Sequence, residues 1–251
     1  MLKKAMVLAA GRGTRLGELG VDTPKALVKV AGKPMIEWTL IRLRNEGIEH
    51  VLVNVHHHAE QIEQYLQRSH PGLRIDISDE RARLLDTGGA LLHAKWFFHG
   101  TEPVLVHNAD ILSGVHLGNL EKYHRRNNAM ATLCVRKRES GRALLFDREM
   151  QLVGWENRST NSCRWVREPV KAFRRFAFSG IYLVNPAFVD KIALTGRFSI
   201  IDAWLEMAQS ERIIAYEDLS ESWFDLGTPE KLRQAEEALK RMGNLPGNQI
   251  I

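Results

Sequence analysis

Length, composition and charge are those of a folded globular chain. The 251 residues are 44% hydrophobic and 26% charged, which suffices for a full hydrophobic core within one large domain. No apolar run approaches the roughly 18–20 residues of a membrane span, so we expect no membrane partner. The formal net charge of +5 is too small and too scattered along the chain to indicate a nucleic-acid partner.

The N-terminus and the two cysteines favour a cytoplasmic location. The apolar run of "MLKKAMVLAA" ends at Gly11 after about six residues, whereas the apolar region of a secretory signal needs roughly 7–15. We therefore expect this run to form the first β-strand. Cys134 and Cys163 form no C-x-x-C pair, which is typical of a reduced protein.

The first half of the sequence alternates between strand and helix patterns. Short apolar runs predict strands, and longer amphipathic runs predict helices, such as the one that begins at Pro34 and stops at Gly47. In chain order these elements are strand 4–9, helix 34–47, strand 50–55, helix 59–69, strand 73–78, helix 87–98, strand 102–110, helix 117–128 and strand 130–136. This alternation predicts an α/β fold with a Rossmann-like, doubly wound and mostly parallel sheet.

The pattern changes after Arg136, where strand and loop residues dominate. We predict a hairpin over 142–157 that turns at "DREM" and a strand over 176–184, so this region should form a small β-rich elaboration. Helices near 186–193 and 200–209 follow, and then a strand over 221–227. A last helix is predicted behind Thr228, a capping residue, and Pro229 at its first position. Residues 244–251 are expected to form a flexible tail.

A long loop follows the first strand, within "VLAAGRGTRLGELGVDTPKAL" (residues 7–27). About 25 residues separate this strand from the first helix, far more than the usual 2–6, and loops this long usually carry function. The dinucleotide pattern G-x-G-x-x-G fails at Leu16, and the pattern G-x-x-x-x-G-K-[ST] fails as well. The glycines of this loop nevertheless let backbone N–H groups approach anionic oxygens, and its positively charged side chains suit phosphate. These residues are Gly11, Arg12, Gly13, Arg15 and Lys25.

The same loop carries the pattern L-A-A-G-x-G-T-R, followed by P-K at Pro24 and Lys25. This pattern resembles the signature of the sugar-1-phosphate nucleotidyltransferases. The resemblance implies that the loop wraps a nucleoside triphosphate, that Arg15 holds the triphosphate, and that Lys25 binds the reacting phosphates. The residues assigned in this way to nucleotide binding or catalysis are Leu8, Ala9, Ala10, Gly11, Arg12, Gly13, Thr14, Arg15 and Lys25.

Later stretches resemble the same family in the same order. "DTGGALLHA" (Asp86–Ala94) resembles the segment that lies against the base and ribose, and "FSGIYLV" (Phe178–Val184) resembles the sugar-side strand. The residues implied are Thr87, Gly88 and Gly89 for the nucleotide, and Ser179 and Gly180 for the sugar.

Two aspartates are candidate metal ligands. Asp110 and Asp225 are 115 residues apart, and each alone is typical of a helix cap or a turn. Both, however, end predicted strands at the ligand-binding edge of the sheet, and "VHNADIL" and "WFDLGTPEKL" resemble the family's two metal-binding segments. Two carboxylates would give Mg²⁺ the oxygen ligands it prefers, with waters and phosphates completing the octahedron. We therefore expect Mg²⁺ as the cofactor.

Other polar positions have both a structural and a functional interpretation. Glu80 lies where relatives carry a base-contacting acid or amide, and Asn108 is either a substrate contact or a structural amide. Glu168 in "REPVK" matches the family's sugar-binding Glu-Lys-Pro run only in altered order, which leaves the sugar open. Successive side chains of His56–His58 point in alternating directions, which favours a surface turn over one shared ion. The basic segment 164–175 suits an anionic substrate as well as a polyanion.

The resemblance implies the reaction NTP + sugar 1-phosphate → NDP-sugar + pyrophosphate within a single domain over 1–243. It assigns 1–135 to the nucleotide, 136–220 to the sugar, and 221–243 to the second metal aspartate and a closing helix. No hexapeptide repeat follows, so we expect a short, single-function member, similar to the N-acetylmuramate-1-phosphate uridylyltransferases and the mannose-1-phosphate guanylyltransferase-like proteins.

The expected substrates are UTP with N-acetylmuramate 1-phosphate, or alternatively GTP with mannose or heptose 1-phosphate. A glycosyltransferase is disfavoured because Asp110 is not part of a D-x-D motif. A non-catalytic nucleotide-sugar sensor is disfavoured because Lys25 and both aspartates are present. We expect a monomer or a homodimer.

Overall fold

A computed structural model describes residues 1–68 and 70–243 of the chain. Its strands in chain order are β1 (Lys4–Leu8), β2 (Lys29–Val30), β3 (Lys33–Pro34), β4 (His50–Val55), β5 (Arg74–Asp79), β6 (Val104–Asn108), β7 (Ile111–Ser113), β8 (Ala131–Arg136), β9 (Arg142–Phe146), β10 (Leu152–Asn157), β11 (Ser162–Trp165), β12 (Arg174–Val184), β13 (Ile213–Glu217) and β14 (Trp223–Asp225). The tail predicted at 244–251 lies outside the described residues.

The α-helices in chain order are α1 (Met35–Asn45), α2 (Ala59–Leu66), α3 (Asp86–His93), α4 (Leu117–Arg126), α5 (Pro186–Asp190), α6 (Ile200–Met207) and α7 (Pro229–Gly243). Short 3-10 turns at Thr14–Gly20 and Lys25–Leu27 lie within the long loop after β1, and a third follows α3. None of the described helices combines the length and apolarity needed to cross a membrane.

The chain divides into two compact units, each assembled from separate segments. The N-terminal unit contains Lys3–Leu84, His107–Val115 and the residues from Ser220 onward. The central unit contains Met1–Leu2, Leu85–Val106 and His116–Leu219. Both metal candidates and the whole long loop therefore belong to the N-terminal unit.

Parallel strands organise the N-terminal unit. β1 pairs in parallel with β4, from Lys4 opposite His50 to Leu8 opposite Asn54, and β4 pairs in parallel with β5. β4 contains three fully buried valines, Val51, Val53 and Val55, and valine favours pleated, buried positions. Because the strands run the same way, their carboxyl ends meet at one edge, where β1 leads into the long loop.

A hydrophobic cluster in the N-terminal unit joins α7 to this loop. Leu16 of the loop is 1% exposed and packs in one cluster with Leu112, Leu226 and Leu232. Burying a leucine side chain contributes about 1.5–3 kcal/mol, so Leu16 anchors the loop on one side. The same cluster includes residues next to both aspartates, since Leu112 lies in β7 and Leu226 follows β14.

Antiparallel pairing dominates the central unit. β12 pairs with β9 along its first three residues and with β8 along the rest, and β9, β10 and β11 continue the antiparallel order. The hairpin predicted over 142–157 is confirmed, and the Asp147 side chain accepts the Gln151 N–H at 2.8 Å to close its turn. β13, which pairs in parallel with β8, was not predicted, although its isoleucines and tyrosine have the composition of a strand.

Most predicted elements are present with small shifts at their ends. The helix predicted over 87–98 is wrong in length, since α3 ends at His93 and a 3-10 turn follows. The strand predicted at 221–227 is shorter than expected, and β14 pairs only with β7 in a two-stranded sheet of its own. The Thr228 cap is confirmed, because its Oγ1 accepts the Lys231 N–H at 3.4 Å.

A buried histidine lies in the N-terminal unit just before Asp110. His107 is 1% exposed, and its Nδ1 lies 2.8 Å from the Asn108 carbonyl oxygen. Burial and the nearby charge of Arg42 lower the pKa of His107 to about 3. The histidine is therefore neutral in the folded protein at neutral pH, whereas in the unfolded chain it takes up a proton near pH 6.5.

We expect acid to destabilise the protein partly through His107. The unfolded state binds more protons between the two pKa values, so the free energy of unfolding falls as pH drops below about 6.5. Urea unfolding measures how much the free energy of unfolding falls between pH 7.5 and pH 5. This fall should be smaller by about 2 kcal/mol in His107→Gln than in wild type. The exposed residue His99 supplies the control variant His99→Gln. An equal loss in wild type and His107→Gln would contradict the expectation.

Candidate active site

The glycines of the long loop let it curl back on itself. Gly13 has a left-handed backbone (φ +67°), and a Cβ there would lie 3.1 Å from the Cβ of Lys25. The Leu16 N–H donates to the Gly13 carbonyl at 2.8 Å, which fixes the turn. Glycine at position 13 thus permits both the backbone turn and the close approach of Lys25. Arg12 and Arg15 remain exposed on the same loop.

The two aspartates are brought together by the pairing of β7 with β14. Asp225 lies opposite Ile111, and the Leu226 N–H donates to the Asp110 carbonyl at 2.8 Å. Lys25 forms an ion pair with Asp110, and both side chains are largely buried, with exposures of 13% and 21%. Residues from three distant parts of the sequence therefore meet within the N-terminal unit.

Positive charges surround the second aspartate. The Asp225 carboxylate accepts one hydrogen bond from the Gly227 N–H at 2.9 Å and another from the Lys231 ammonium at 2.5 Å. Burial alone would raise the pKa of Asp225, but Lys231, the Gly227 N–H and Lys25 outweigh it and lower the pKa. A Cβ on Gly227 would lie 3.1 Å from the Arg15 guanidinium, so Arg15 lies against the same turn.

The two aspartates have the chemistry that Mg²⁺ requires. Mg²⁺ is usually held by one or two carboxylates, while waters and substrate phosphates provide the remaining oxygens. The low pKa of Asp225 keeps that carboxylate charged. Within residues 1–68 and 70–243, no three His, Cys, Asp or Glu side chains are grouped to hold a metal ion by themselves. The pair Asp110 and Asp225 therefore fits a metal ion shared with a phosphate ligand.

A buried amide links the start of the loop to the parallel sheet. Asn54, 3% exposed, accepts the Ala9 N–H at 2.7 Å through Oδ1 and donates to Glu80 Oε1 at 2.7 Å. Glu80 is itself only 2% exposed. In this structure Glu80 orients Asn54, and Asn54 orients the backbone where the loop begins. A contact between Glu80 and a base remains a prediction.

The histidine run lies against the far arm of the loop. The Nε2 atom of His58 is 3.1 Å from the Val21 carbonyl oxygen, and the Gln61 amide donates to the Asp22 carbonyl at 3.0 Å. His57 is exposed, and desolvation, its two neighbouring histidines and Arg12 lower its pKa. Among the described residues these three histidines are not part of any group of His, Cys, Asp or Glu side chains arranged to hold a metal ion.

In the central unit, the glycine pair of α3 has a packing role of its own. A Cβ on Gly88 would lie 2.4 Å from the Phe198 ring, and one on Gly89 would lie 2.4 Å from the Gly196 carbonyl oxygen. Both glycine N–H groups donate to the Phe198 carbonyl, and Thr87 Oγ1 accepts the first N–H of α6 at 3.0 Å. Close packing thus requires glycine at both positions, while their contact with a nucleotide remains a prediction.

The predicted sugar-side residues differ in their surroundings. Ser179 is fully buried in β12, and Gly180 (φ +81°) lies at the irregularity where the pairing of β12 with β8 shifts register. Glu168 is exposed on the loop between β11 and β12. Asn108 is half-buried at the end of β6 and belongs to the N-terminal unit. Sugar binding by these residues remains a prediction.

Two arginines of the basic segment 164–175 form ion pairs within the central unit. Arg164 forms an ion pair with Asp202, and Arg175 forms one with Glu156. Arg167 donates to the Gln209 carbonyl. Because these arginines already have acidic or carbonyl partners, the segment offers a polyanion less free positive charge than the sequence suggests.

A family model described as nucleotidyl transferase matches residues 4–146, which is more than half of the chain. The chain belongs to the nucleotidyl transferase family. The match covers the long loop, the candidate metal residue Asp110 and the glycine pair of α3. It confirms the resemblance that the loop pattern indicated.

Curated relatives carry two different activities. The mannose-1-phosphate guanyltransferase beta-A of Xenopus laevis is 28% identical over 228 residues, which are 90% of this chain and 61% of the relative. The N-acetylmuramate alpha-1-phosphate uridylyltransferase of Caulobacter vibrioides is 49% identical over 119 residues, which are 46% of this chain and 49% of the relative. The chain thus spans less than two thirds of the length of these relatives.

The fold is that of solved sugar-nucleotide enzymes. The UDP-glucose pyrophosphorylase from Acinetobacter baumanii superposes with a TM-score of 0.79 at 20% identity, covering 98% of this chain and 95% of that chain. The prediction of a mostly parallel, Rossmann-like α/β fold is therefore confirmed.

Sequence patterns alone did not identify two residues that lie near the candidate site. Asn54 lies within the strand predicted over 50–55, and its role depends on the register that places it opposite Leu8. Lys231 lies in the predicted last helix, behind the capping residue Thr228. The sequence signal that could identify Lys231 is its position six residues after Asp225. The turn at Gly227 and the first turn of α7 bring a side chain at that position back to the aspartate.

We expect Asn54→Ala to weaken both stability and nucleotide binding. Loss of a buried hydrogen-bond partner for the Ala9 N–H costs about 1–3 kcal/mol of unfolding free energy. The loop would also lose its fixed starting point, so the dissociation constant for a nucleoside triphosphate should rise. Urea unfolding and calorimetry check the two effects. Asn119→Ala, at an exposed position, is the control, and unchanged affinity in Asn54→Ala would contradict the positioning role.

Proposed function

We propose that this chain transfers a nucleotidyl group from a nucleoside triphosphate to a sugar 1-phosphate, releasing pyrophosphate. The observation that carries the proposal is the assembly of the glycine-rich loop, Lys25 and two aspartates within one unit. Glycine backbone, exposed arginines and a lysine suit a triphosphate, and paired carboxylates suit its divalent cation.

In the proposed reaction, a phosphate oxygen of the sugar 1-phosphate attacks the α-phosphorus in line. The new P–O bond forms as the bond to the leaving pyrophosphate breaks. A general base is unnecessary because the second pKa of a phosphomonoester is about 6, so the nucleophile is already largely a dianion at neutral pH. Catalysis then consists of positioning and of neutralising charge.

Each charged residue has a distinct part in this proposal. Lys25 stabilises the transferring phosphoryl group, and Arg15 stabilises the leaving pyrophosphate. Asp110 and Asp225 would hold Mg²⁺, which when bound supplies positive charge to the phosphate oxygens. The ion pair with Asp110 fixes the position of the Lys25 ammonium within a largely buried part of the site.

We expect Lys25→Ala and Asp110→Asn each to lower kcat at least about a hundredfold, the usual effect of removing an electrostatic group from a transition state. Continuous detection of pyrophosphate measures the rate, and thermal unfolding checks that the fold persists. Lys29→Ala is the matched control, because Lys29 is an exposed lysine on the strand that follows. Wild-type turnover in Lys25→Ala or Asp110→Asn would contradict these roles.

For the substrates we propose UTP with N-acetylmuramate 1-phosphate, supported by the 49% identity to the Caulobacter relative over 119 residues. The alternative is GTP with mannose or heptose 1-phosphate, supported by relatives that align over 90% of this chain. We propose a cytoplasmic enzyme that acts as a monomer or homodimer, with no nucleic-acid or membrane partner.

A grid of four nucleotides against a panel of sugar 1-phosphates, with Mg²⁺, tests the substrates. UTP with N-acetylmuramate 1-phosphate should give the highest kcat/KM. A maximum with GTP would favour the alternative. No pyrophosphate from any pair, together with measurable nucleotide-sugar binding, would instead indicate a sensor, and glycosyl transfer from a sugar nucleotide would indicate a glycosyltransferase.

A further inference from the structure

Lys231 occupies a carboxylate that the proposed function needs for a cation. Its Nζ atom lies 2.5 Å from Asp225 Oδ2, while Asp225 Oδ1 accepts the Gly227 N–H at 2.9 Å. Both oxygens of Asp225 therefore already accept a hydrogen bond. A divalent cation bound to this carboxylate would lie next to the lysine ammonium, and repulsion between the two positive charges favours movement of the lysine away from Asp225.

Moving Lys231 away from Asp225 costs little free energy. The Lys231 side chain is 43% exposed, and ion pairs at partly exposed positions contribute little net stability. Lysine has a flexible four-carbon stem and three rotatable donors, so its ammonium can move to a nearby oxygen without a change in the helix. Lys25, by contrast, is 13% exposed in its pair with Asp110. Of the two lysines, Lys231 is the one that is easier to exchange.

The surroundings of Lys231 favour an anion as its next partner. Arg15 lies against Gly227, and Lys25 is close enough to Asp225 to affect its charge state. Once a cation neutralises the aspartates, Lys231 adds to two other cations at the same turn. Such a concentration of positive charge suits a polyphosphate.

We propose that Lys231 is a phosphate-binding residue that pairs with Asp225 until a divalent cation binds there, and then contacts the triphosphate or the pyrophosphate. This inference rests on the proposed function for the identity of the anion. It makes cation and polyphosphate binding cooperative, because the cation releases the ammonium that the polyphosphate uses.

A first experiment measures cation binding to the free protein. Mn²⁺ replaces Mg²⁺ at carboxylate sites and is detected by electron paramagnetic resonance. Lys231→Met removes the competitor, so Mn²⁺ without nucleotide should bind about threefold more tightly than to wild type. Lys231→Arg keeps the competing charge and should stay near wild type. Lys240→Met, at an exposed position of the same helix, controls for the loss of one charge.

A second experiment measures inorganic pyrophosphate binding by calorimetry at saturating Mn²⁺. Loss of a charged hydrogen bond should weaken binding to Lys231→Met about tenfold, with Lys231→Arg largely restored. The two arms therefore move in opposite directions in Lys231→Met. Weaker Mn²⁺ binding would overturn the proposal in favour of a lysine that only orients Asp225, and unchanged pyrophosphate binding would overturn it as well.

The outcome is separable from that of the proposed function. If no triphosphate and sugar phosphate pair yields pyrophosphate, the proposed function fails, while the Mn²⁺ and pyrophosphate arms still report on Lys231. If wild type is active and both arms are unchanged in Lys231→Met, the inference about Lys231 fails alone.

Discussion

The pairing of β7 with β14 is the constraint on which the candidate site depends. Three residues on each side form this small sheet, yet it places Asp225 beside the backbone of Asp110 across more than a hundred positions of sequence. The apolar cluster of Leu16, Leu112, Leu226 and Leu232 packs beneath it. The site is therefore held by buried hydrophobic surface rather than by the charges themselves, which in isolation would repel or favour solvent.

Charge balance is the second property of this site. Each aspartate forms an ion pair with its own lysine, so each carboxylate has a counter-charge. Two neighbouring carboxylates without counter-charges would push one pKa upward and lose ionisation. At Asp225 the neighbouring Lys231 lowers the pKa and keeps the carboxylate charged.

Much of the fold could be predicted because its signals are local. The valine-rich run of β4, the proline at the start of α7 and the turn between β9 and β10 each depend on residues within a few positions. The loop after β1 was also recognisable, because its glycines and cations are contiguous. These features need no knowledge of distant partners.

What could not be predicted depends on partners far along the chain. The role of Asn54 follows from the register of β1 against β4, and the need for Gly88 follows from Phe198, 110 residues later. Asp225 does end a strand, as predicted, but that strand pairs with β7 in a two-stranded sheet. The neighbouring sequence does not predict these contacts. Hydrophobic periodicity shows which face of an element is buried, but it does not show which distant element packs against that face.

The N-terminal unit takes its pieces from three separate stretches of chain, and the last of these begins at Ser220. During translation, a nascent chain that has passed Asp110 already contains the glycine-rich loop, Lys25 and one acid, but β7 still lacks its partner strand. Domains generally fold as units, so the N-terminal unit is complete only after its last segment has been synthesised. A truncated product that stops before β14 would contain the loop and Asp110 but not Asp225, so the pair of aspartates could not assemble in it.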